Sequence, residues 1–146
     1  MKWAALITWL LTAGGGFVLL SIFLSRGGMR QQGAGGNRIR PPLLLSHFLL
    51  AVVGLVLWII YLAADAEALA WIAFIALLVV AALGFTMFAI WLRQRQGGAA
   101  TTAPEAAAPD RPAEQHFPVS IVGLHGVLAA TTLVLVFLTA IGVGES

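Results

Sequence analysis

Four long apolar segments follow one another along the chain, separated by more polar connections. They run over Trp3–Leu24, Leu43–Ala63, Leu69–Leu92 and Phe117–Val143. A helix that spans the hydrocarbon core of a bilayer needs about 20 apolar residues. Each segment therefore predicts one transmembrane helix, and little chain remains for a separate soluble domain. The predicted fold class is all-α, an integral membrane four-helix bundle.

The composition of the chain agrees with this fold class. Of the 146 residues, 60% are hydrophobic and 10% are charged, whereas soluble domains carry about 25% charged residues. The sequence contains no cysteine, which excludes disulfides, thiolate metal sites and covalent haem attachment. We expect the lipid bilayer, and no nucleic acid, as a partner.

The basic residues lie where they predict membrane topology. The connection at residues 64–68 carries Asp65 and Glu67 and no basic residue. By the positive-inside rule, connections rich in arginine are cytoplasmic, which places both termini outside. The Ala-, Gly- and Arg-rich composition is typical of a GC-rich bacterium, so we expect the bacterial plasma membrane. Seven of the eight basic residues lie in the other two connections, namely Arg26, Arg30, Arg38, Arg40, Arg93, Arg95 and Arg111.

Two internal similarities indicate a duplicated helix pair. Helix 1 aligns with helix 3 at an offset of 68, with nine of 22 positions identical, and helix 2 aligns with helix 4 at an offset of 78. We predict one membrane domain over residues 1–146, with repeats over 1–63 and 69–146 and a flexible connection over 97–115. Repeats with two helices each insert the same way up and form tandem pairs related by a pseudo-two-fold axis.

The alignment of helix 2 with helix 4 pairs His47 with His125. In an up-down-up-down bundle the second and fourth helices are diagonal partners, so the two side chains can face each other at similar depth. An ionisable side chain inside a membrane is a functional hypothesis by default. Neutral imidazole is a good iron ligand, and two imidazoles on diagonal helices are what a six-coordinate haem b requires. We therefore predict one haem b with both histidines as metal ligands.

Small and basic residues near the histidines extend the predicted cofactor site. Small residues after each histidine could leave room for a porphyrin, and glycines at the same depth on helices 1 and 3 would allow its edge to approach the backbone. Arginines before helix 2 could pair with the haem propionates. These predicted cofactor-binding residues are Ala51, Gly54, Ala129, Thr132, Gly16, Gly84, Arg38 and Arg40.

This arrangement of His47, His125, Gly16 and Gly84 resembles that of the membrane b-type cytochromes. Those proteins hold haem between histidines on diagonal helices, while glycines on the other helices pack against the porphyrin. The resemblance implies electron transfer, with a quinone or a larger respiratory membrane complex as partner. Such cytochromes commonly carry two histidines per ligand helix and two haems, whereas each ligand helix here has one. Electron transfer across the whole bilayer would then need a second centre in a partner.

Two other functions stay open at the level of sequence. In a cofactor-free structural or assembly subunit, the histidines would bond to Ser46, Thr131, Thr132 or each other as packing contacts between helices, and the glycines would be close helix contacts. A small transporter or channel has the least support, because no acidic or basic side chain lies inside a predicted span.

Three further polar residues have minor predicted roles. We expect His116, just before Pro118, to face solvent or lipid headgroups. Tyr61 and Asp65, at the outer end of helix 2, could line a quinone site. The chain shows no nucleophile–base arrangement, phosphate loop or carboxylate pair, so we expect an electron carrier or subunit rather than a stand-alone enzyme.

Overall fold

The computed structural model describes residues 1–30, 38–99 and 112–144, with only the backbone of residues 98 and 99. Four α-helices and one short 3₁₀ turn make up the fold. They are α1 (Lys2–Ser25), α2 (Pro41–Ala64), α3 (Glu67–Ala99), the 3₁₀ turn (Ala113–His116) and α4 (Val119–Ala140). The all-α prediction of four helices in one bundle is confirmed.

The four helices pack as a square whose diagonals are α1 with α3 and α2 with α4. The most extensive interfaces join α1 to α4 and α2 to α3, α3 packs beside α4, and α1 has the smallest interface with α2. In the described part of the chain, neither diagonal pair is in backbone contact. The two histidine-bearing helices are therefore diagonal, as the up-down-up-down bundle predicts.

All four α-helices are long and apolar enough to cross a membrane. Their outward faces carry large apolar side chains such as Phe85, which is 73% exposed, and Val127, which is 66% exposed. Water would make such a surface costly, whereas lipid tails solvate it. The chain is thus a multi-pass membrane protein with a lipid-facing exterior.

The two ends of the bundle differ in charge. The α2–α3 turn lies at one end, where the left-handed backbone of Asp65 (φ 50°) ends α2 and Lys2 Nζ lies 2.7 Å from Asp65 Oδ1. We call this the acidic end. The other end carries Arg26, Arg30, Arg38, Arg40, Arg93 and Arg95 and is called the basic end, while Arg111 lies outside the described residues.

Two groups of buried side chains fill the bundle and leave the histidines between them. The acidic-end cluster is centred on Trp9, Trp58 and Tyr61. The basic-end cluster consists of Phe23, Ile39, Trp91, Ala113 and Phe117. In the sequence, His47 lies between Ile39, just before α2, and Trp58 on α2. His125 on α4 follows Phe117, which lies just before that helix. Tight apolar packing on both sides therefore fixes how deep the two histidines lie in the bundle.

The structure differs from the predicted connection over 97–115 at both of its ends. Helix α3 continues to Ala99, and Ala113–His116 forms the 3₁₀ turn. Ala113 and Glu114 are fully buried, because this turn packs against α1 and α3 at the basic end. Residues 100–111 of the predicted connection lie outside the described residues.

Candidate functional site

The imidazole rings of His47 and His125 face each other inside the bundle. Their centroids are 6.4 Å apart, with 59° between the ring planes. His47 lies six residues after the first residue of α2, and His125 lies six residues after the first residue of α4. Six residues of helix rise correspond to about 9 Å, so the two side chains lie at matching depth from the basic end.

Each histidine makes one hydrogen bond to the backbone of the neighbouring helix. His47 Nδ1 lies 2.9 Å from the carbonyl oxygen of Val80, and His125 Nδ1 lies 2.9 Å from that of Thr12. A carbonyl oxygen only accepts, so Nδ1 carries the hydrogen and donates it. This tautomer leaves the Nε2 lone pair of each ring for another partner.

Glycines make these backbone carbonyls accessible. Gly16 follows Thr12 by four residues, and Gly84 follows Val80 by four, so each glycine stands one turn above the accepting carbonyl. A Cβ atom added to Gly16 would lie 3.2 Å from His125 Cε1, and one added to Gly84 would lie 3.1 Å from His47 Cε1. The glycines therefore leave room for the imidazole rings themselves, and their contact with a porphyrin edge stays a prediction.

The two halves of the site use positions that the sequence offsets pair. Thr12 and Val80 are 68 residues apart, as are Gly16 and Gly84, while the histidines are 78 apart. The accepting carbonyl, the glycine one turn later and the donating imidazole thus recur in both halves.

The four small residues that were predicted to leave room for a porphyrin differ in their surroundings. Gly54 is buried, and a Cβ there would lie 3.1 Å from the Trp9 indole, so Trp9 fills the space expected to be open. Thr132 is buried, donates to the Leu128 carbonyl at 2.8 Å and lies 3.3 Å from the Thr12 hydroxyl. Ala51 and Ala129 are half-buried.

The two arginines predicted to pair with the haem propionates make no bond to the histidines in the described residues. Arg38 and Arg40 are exposed at the basic end, before α2 begins. In the described residues no hydrogen bond or ion pair connects either guanidinium group to the site. Their backbones are engaged instead: the Arg38 amide donates to Glu114 Oε1 at 2.8 Å, and the Arg40 carbonyl accepts from the amides of Leu43 and Leu44. Their pairing with propionates stays a prediction.

The hydrogen bonds of the histidines differ from those expected of packing contacts between side chains. The Thr131 hydroxyl donates to the Val127 carbonyl of its own helix at 2.9 Å, and Thr132 likewise bonds within α4. Both histidines bond to backbone carbonyls instead. Each such bond still joins two helices, α2 to α3 or α4 to α1, and therefore contributes to packing in either function.

A buried carboxylate at the basic end was missed by the sequence analysis. Glu114 is 0% exposed. Its Oε1 accepts from the backbone amides of Arg38 at 2.8 Å and Ile39 at 3.2 Å and from Gln94 Nε2 at 2.9 Å. Its Oε2 is buried with no hydrogen-bond partner. The sequence marks only the position, as a single acid in a stretch that lies between Pro112 and Pro118 and ends in an aromatic residue, and it does not indicate the distant partners.

His116 and the acidic-end residues also differ in detail from expectation. His116 is half-buried, and its Nδ1 is buried without a hydrogen-bond partner, so this ring does not simply face solvent. Near the acidic end, a cavity of about 250 Å³ is lined by Tyr61 and Glu67 together with residues of α4. Asp65 is not part of that lining and pairs with Lys2.

The separation of the two rings is compatible with both histidines holding one metal ion. Since an imidazole nitrogen lies about 2 Å from a metal it binds, two rings that held one ion would have centroids up to about 6 Å apart. The centroids of His47 and His125 are 6.4 Å apart, near that limit. Metal-bound histidines usually donate their other ring hydrogen to a carbonyl or carboxylate, which fixes the tautomer. Both rings meet this condition.

Alanine at Gly16 or Gly84 should disturb the site, whereas alanine at Gly14 should not. A Cβ at either of the first two positions would push the facing ring by a few tenths of an ångström, and one at Gly14 has nothing within 4 Å. If haem is bound, we expect Gly84→Ala to shift its reduction potential and low-spin spectrum, as measured by redox titration. Equal spectra for Gly84→Ala and Gly14→Ala would contradict this role of the glycine.

Comparisons of the chain with protein-family models, with curated proteins and with solved structures give no match.

Proposed function

We propose that this protein is a haem b-binding membrane protein with a role in electron transfer. The observation that carries the proposal is the facing pair of imidazoles, 6.4 Å apart, each with Nδ1 bonded to a backbone carbonyl. Both Nε2 atoms would then be left to hold the haem iron. A bound haem b would supply one-electron oxidation and reduction at this depth.

The chain's own residues would bind and orient the cofactor. His47 and His125 would ligate iron, and the carbonyls of Val80 and Thr12 would hold the two ring orientations. Hydrogen bonds of this kind raise the basicity of the ligand nitrogen, and their loss typically costs about 10- to 100-fold in metal affinity. The apolar clusters at the two ends would limit access of water, which also affects the reduction potential.

The proposal extends to the origin and orientation of the fold. Matching contacts at Thr12 and Val80, and at Gly16 and Gly84, support a duplicated helix pair with pseudo-two-fold symmetry. The arginine-rich connections support a cytoplasmic basic end in a bacterial plasma membrane. With a single haem near that end, the natural partner is a quinone or a respiratory complex that contributes further redox centres.

A cofactor-free structural subunit is the second candidate. The observation that favours it is that each histidine bond also ties one helix to the next, which is a sufficient reason for polar side chains in a bundle. In that case both rings would stay in place without iron.

An absorption spectrum of the purified chain separates the two functions. We expect protein from haem-replete cells, in detergent, to give a sharp α band on reduction, with about one haem per chain by pyridine haemochrome assay. Electron paramagnetic resonance should show a low-spin ferric signal, because two imidazole ligands impose a strong field. A colourless protein that also fails to take up added haemin would reject the haem proposal.

A further inference from the structure

The ends of α2 and α4 that precede the histidines are joined by one buried carboxylate. Glu114 lies in the 3₁₀ turn, five residues before the first residue of α4. Its Oε1 accepts from the amides of Arg38 and Ile39, which lie just before Pro41 at the start of α2. The same oxygen accepts from Gln94 on α3. Donors from two other segments of the chain thus converge on one oxygen atom of this turn.

This junction matters because α2 and α4 are diagonal and make no backbone contact in the described structure. Their separation is therefore set indirectly, by packing through α1 and α3 and by groups that join their ends. Helix α2 begins with Pro41 and Pro42, which lack amide hydrogens, so the amides just before them are the donors that can anchor this helix start. Glu114 receives two of them.

The burial of Glu114 indicates that the junction is specific. A carboxylate that is 0% exposed is costly unless its hydrogen bonds are made, and breaking a buried polar network leaves several groups unpaired. The titratable and charged residues on the segments around it are His116 on its own turn, Arg38 and Arg40 before α2, and Arg93 and Arg95 on α3. In the described residues none of them forms an ion pair with Glu114, so the hydrogen bonds to Oε1 hold the carboxylate, while Oε2 has no partner.

We propose that Glu114 is a positioning residue that sets the separation of His47 and His125. The carboxylate fixes the start of α2 against the lead-in to α4, and each histidine follows its helix start by six residues. Since a helix transmits such a displacement along its axis, loosening this junction moves the two imidazoles relative to each other. The inference deepens the proposed function, because the ring separation decides whether one iron can be bound by both.

A spin-label distance between α2 and α4 tests this role without any need for haem. The chain contains no cysteine, so Leu45→Cys and Ser120→Cys, both at exposed positions, give a labelled full-length protein with no background. We expect a narrow distance distribution in the otherwise unaltered chain and a shifted, broader one in Glu114→Ala. Any haem iron is kept reduced and diamagnetic during the measurement.

Three further variants make the test specific. Glu114→Gln keeps an acceptor oxygen in the same place and should restore the narrow distribution. Glu114→Asp keeps the charge but is one methylene shorter, so it should shift the distribution even if Glu114→Ala does not fold. Gln115→Ala, in the same turn, should change nothing. Distributions for Glu114→Asp and any folded Glu114→Ala that match the unaltered chain would overturn the proposal.

A second readout applies to haem-loaded protein. Glu114→Ala should alter the low-spin g values, which depend on the angle between the two imidazole planes, and should lose much of its bound haem during purification. Gln115→Ala should retain the signal of the unaltered chain. A colourless unaltered chain would reject the haem proposal alone, because the distance measurement decides the role of Glu114 independently.

Discussion

Alanine at His125, or at His47, should leave the purified protein with little or no low-spin haem. Each substitution removes one of the two imidazoles that lie 6.4 Å apart. It also removes the bond that anchors the ring to Thr12 or Val80. Loss of a supporting hydrogen bond alone typically costs about 10- to 100-fold in affinity, so loss of the ligand should cost at least as much. Haem content per chain and the low-spin ferric signal measure the effect.

The third histidine provides the matched control for this experiment. His116 lies in the 3₁₀ turn at the basic end, outside the four spans, and is half-buried. We expect His116→Ala to keep the haem content and low-spin spectrum of the unaltered chain. Retention of a full low-spin spectrum in both His47→Ala and His125→Ala would show that these rings are not the axial ligands.

Alanine at Trp58 should cause the largest loss of stability among single substitutions in the bundle. This side chain is fully buried and packs on Trp9 and Tyr61, with ring centroids 6.4 Å and 4.9 Å away. Replacing a buried tryptophan by alanine removes its contacts and leaves a cavity, which costs about 3–5 kcal/mol. The indole nitrogen has no hydrogen-bond partner, so the loss should come from packing.

Unfolding of the detergent-solubilised protein by increasing sodium dodecyl sulfate, followed by circular dichroism, measures the free energy of unfolding. Trp3→Ala is the control, because Trp3 is 63% exposed and surface substitutions usually change stability by less than about 0.5 kcal/mol. If Trp58→Ala were no less stable than Trp3→Ala, the acidic-end cluster would not be the main support of the bundle.

Hydropathy was sufficient to predict the four spans but not where the helices end. Helix α3 continues past Leu92 through Arg93 and Arg95 to Ala99, because a helix satisfies its own backbone bonds in water as well as in lipid. The apolar pattern of Phe117–Val143 predicted a longer fourth helix than Val119–Ala140. Pro118 is the N-cap of α4, and its carbonyl accepts the first helical hydrogen bond, from the Val122 amide.

The diagonal arrangement of the histidines could be predicted because an up-down-up-down topology determines which helices oppose each other. Their carbonyl partners could not, since these depend on how each helix is rotated and on glycines one turn away. The contact of Gly54 with Trp9 could not be predicted for the same reason, because these residues lie on different helices. Glu114 bonds to residues 20 and 76 positions away, and no local pattern encodes such a junction.

The extensive interfaces of α1 with α4 and of α2 with α3 impose an order on assembly. During synthesis, α2 and α3 can pair as soon as both are in the membrane, whereas α1 must wait for α4, which follows them in the chain. The bond from His125 to Thr12 joins α4 to α1. The site is therefore complete only after α4 is inserted, and any cofactor that needs both rings binds after all four helices are in the membrane.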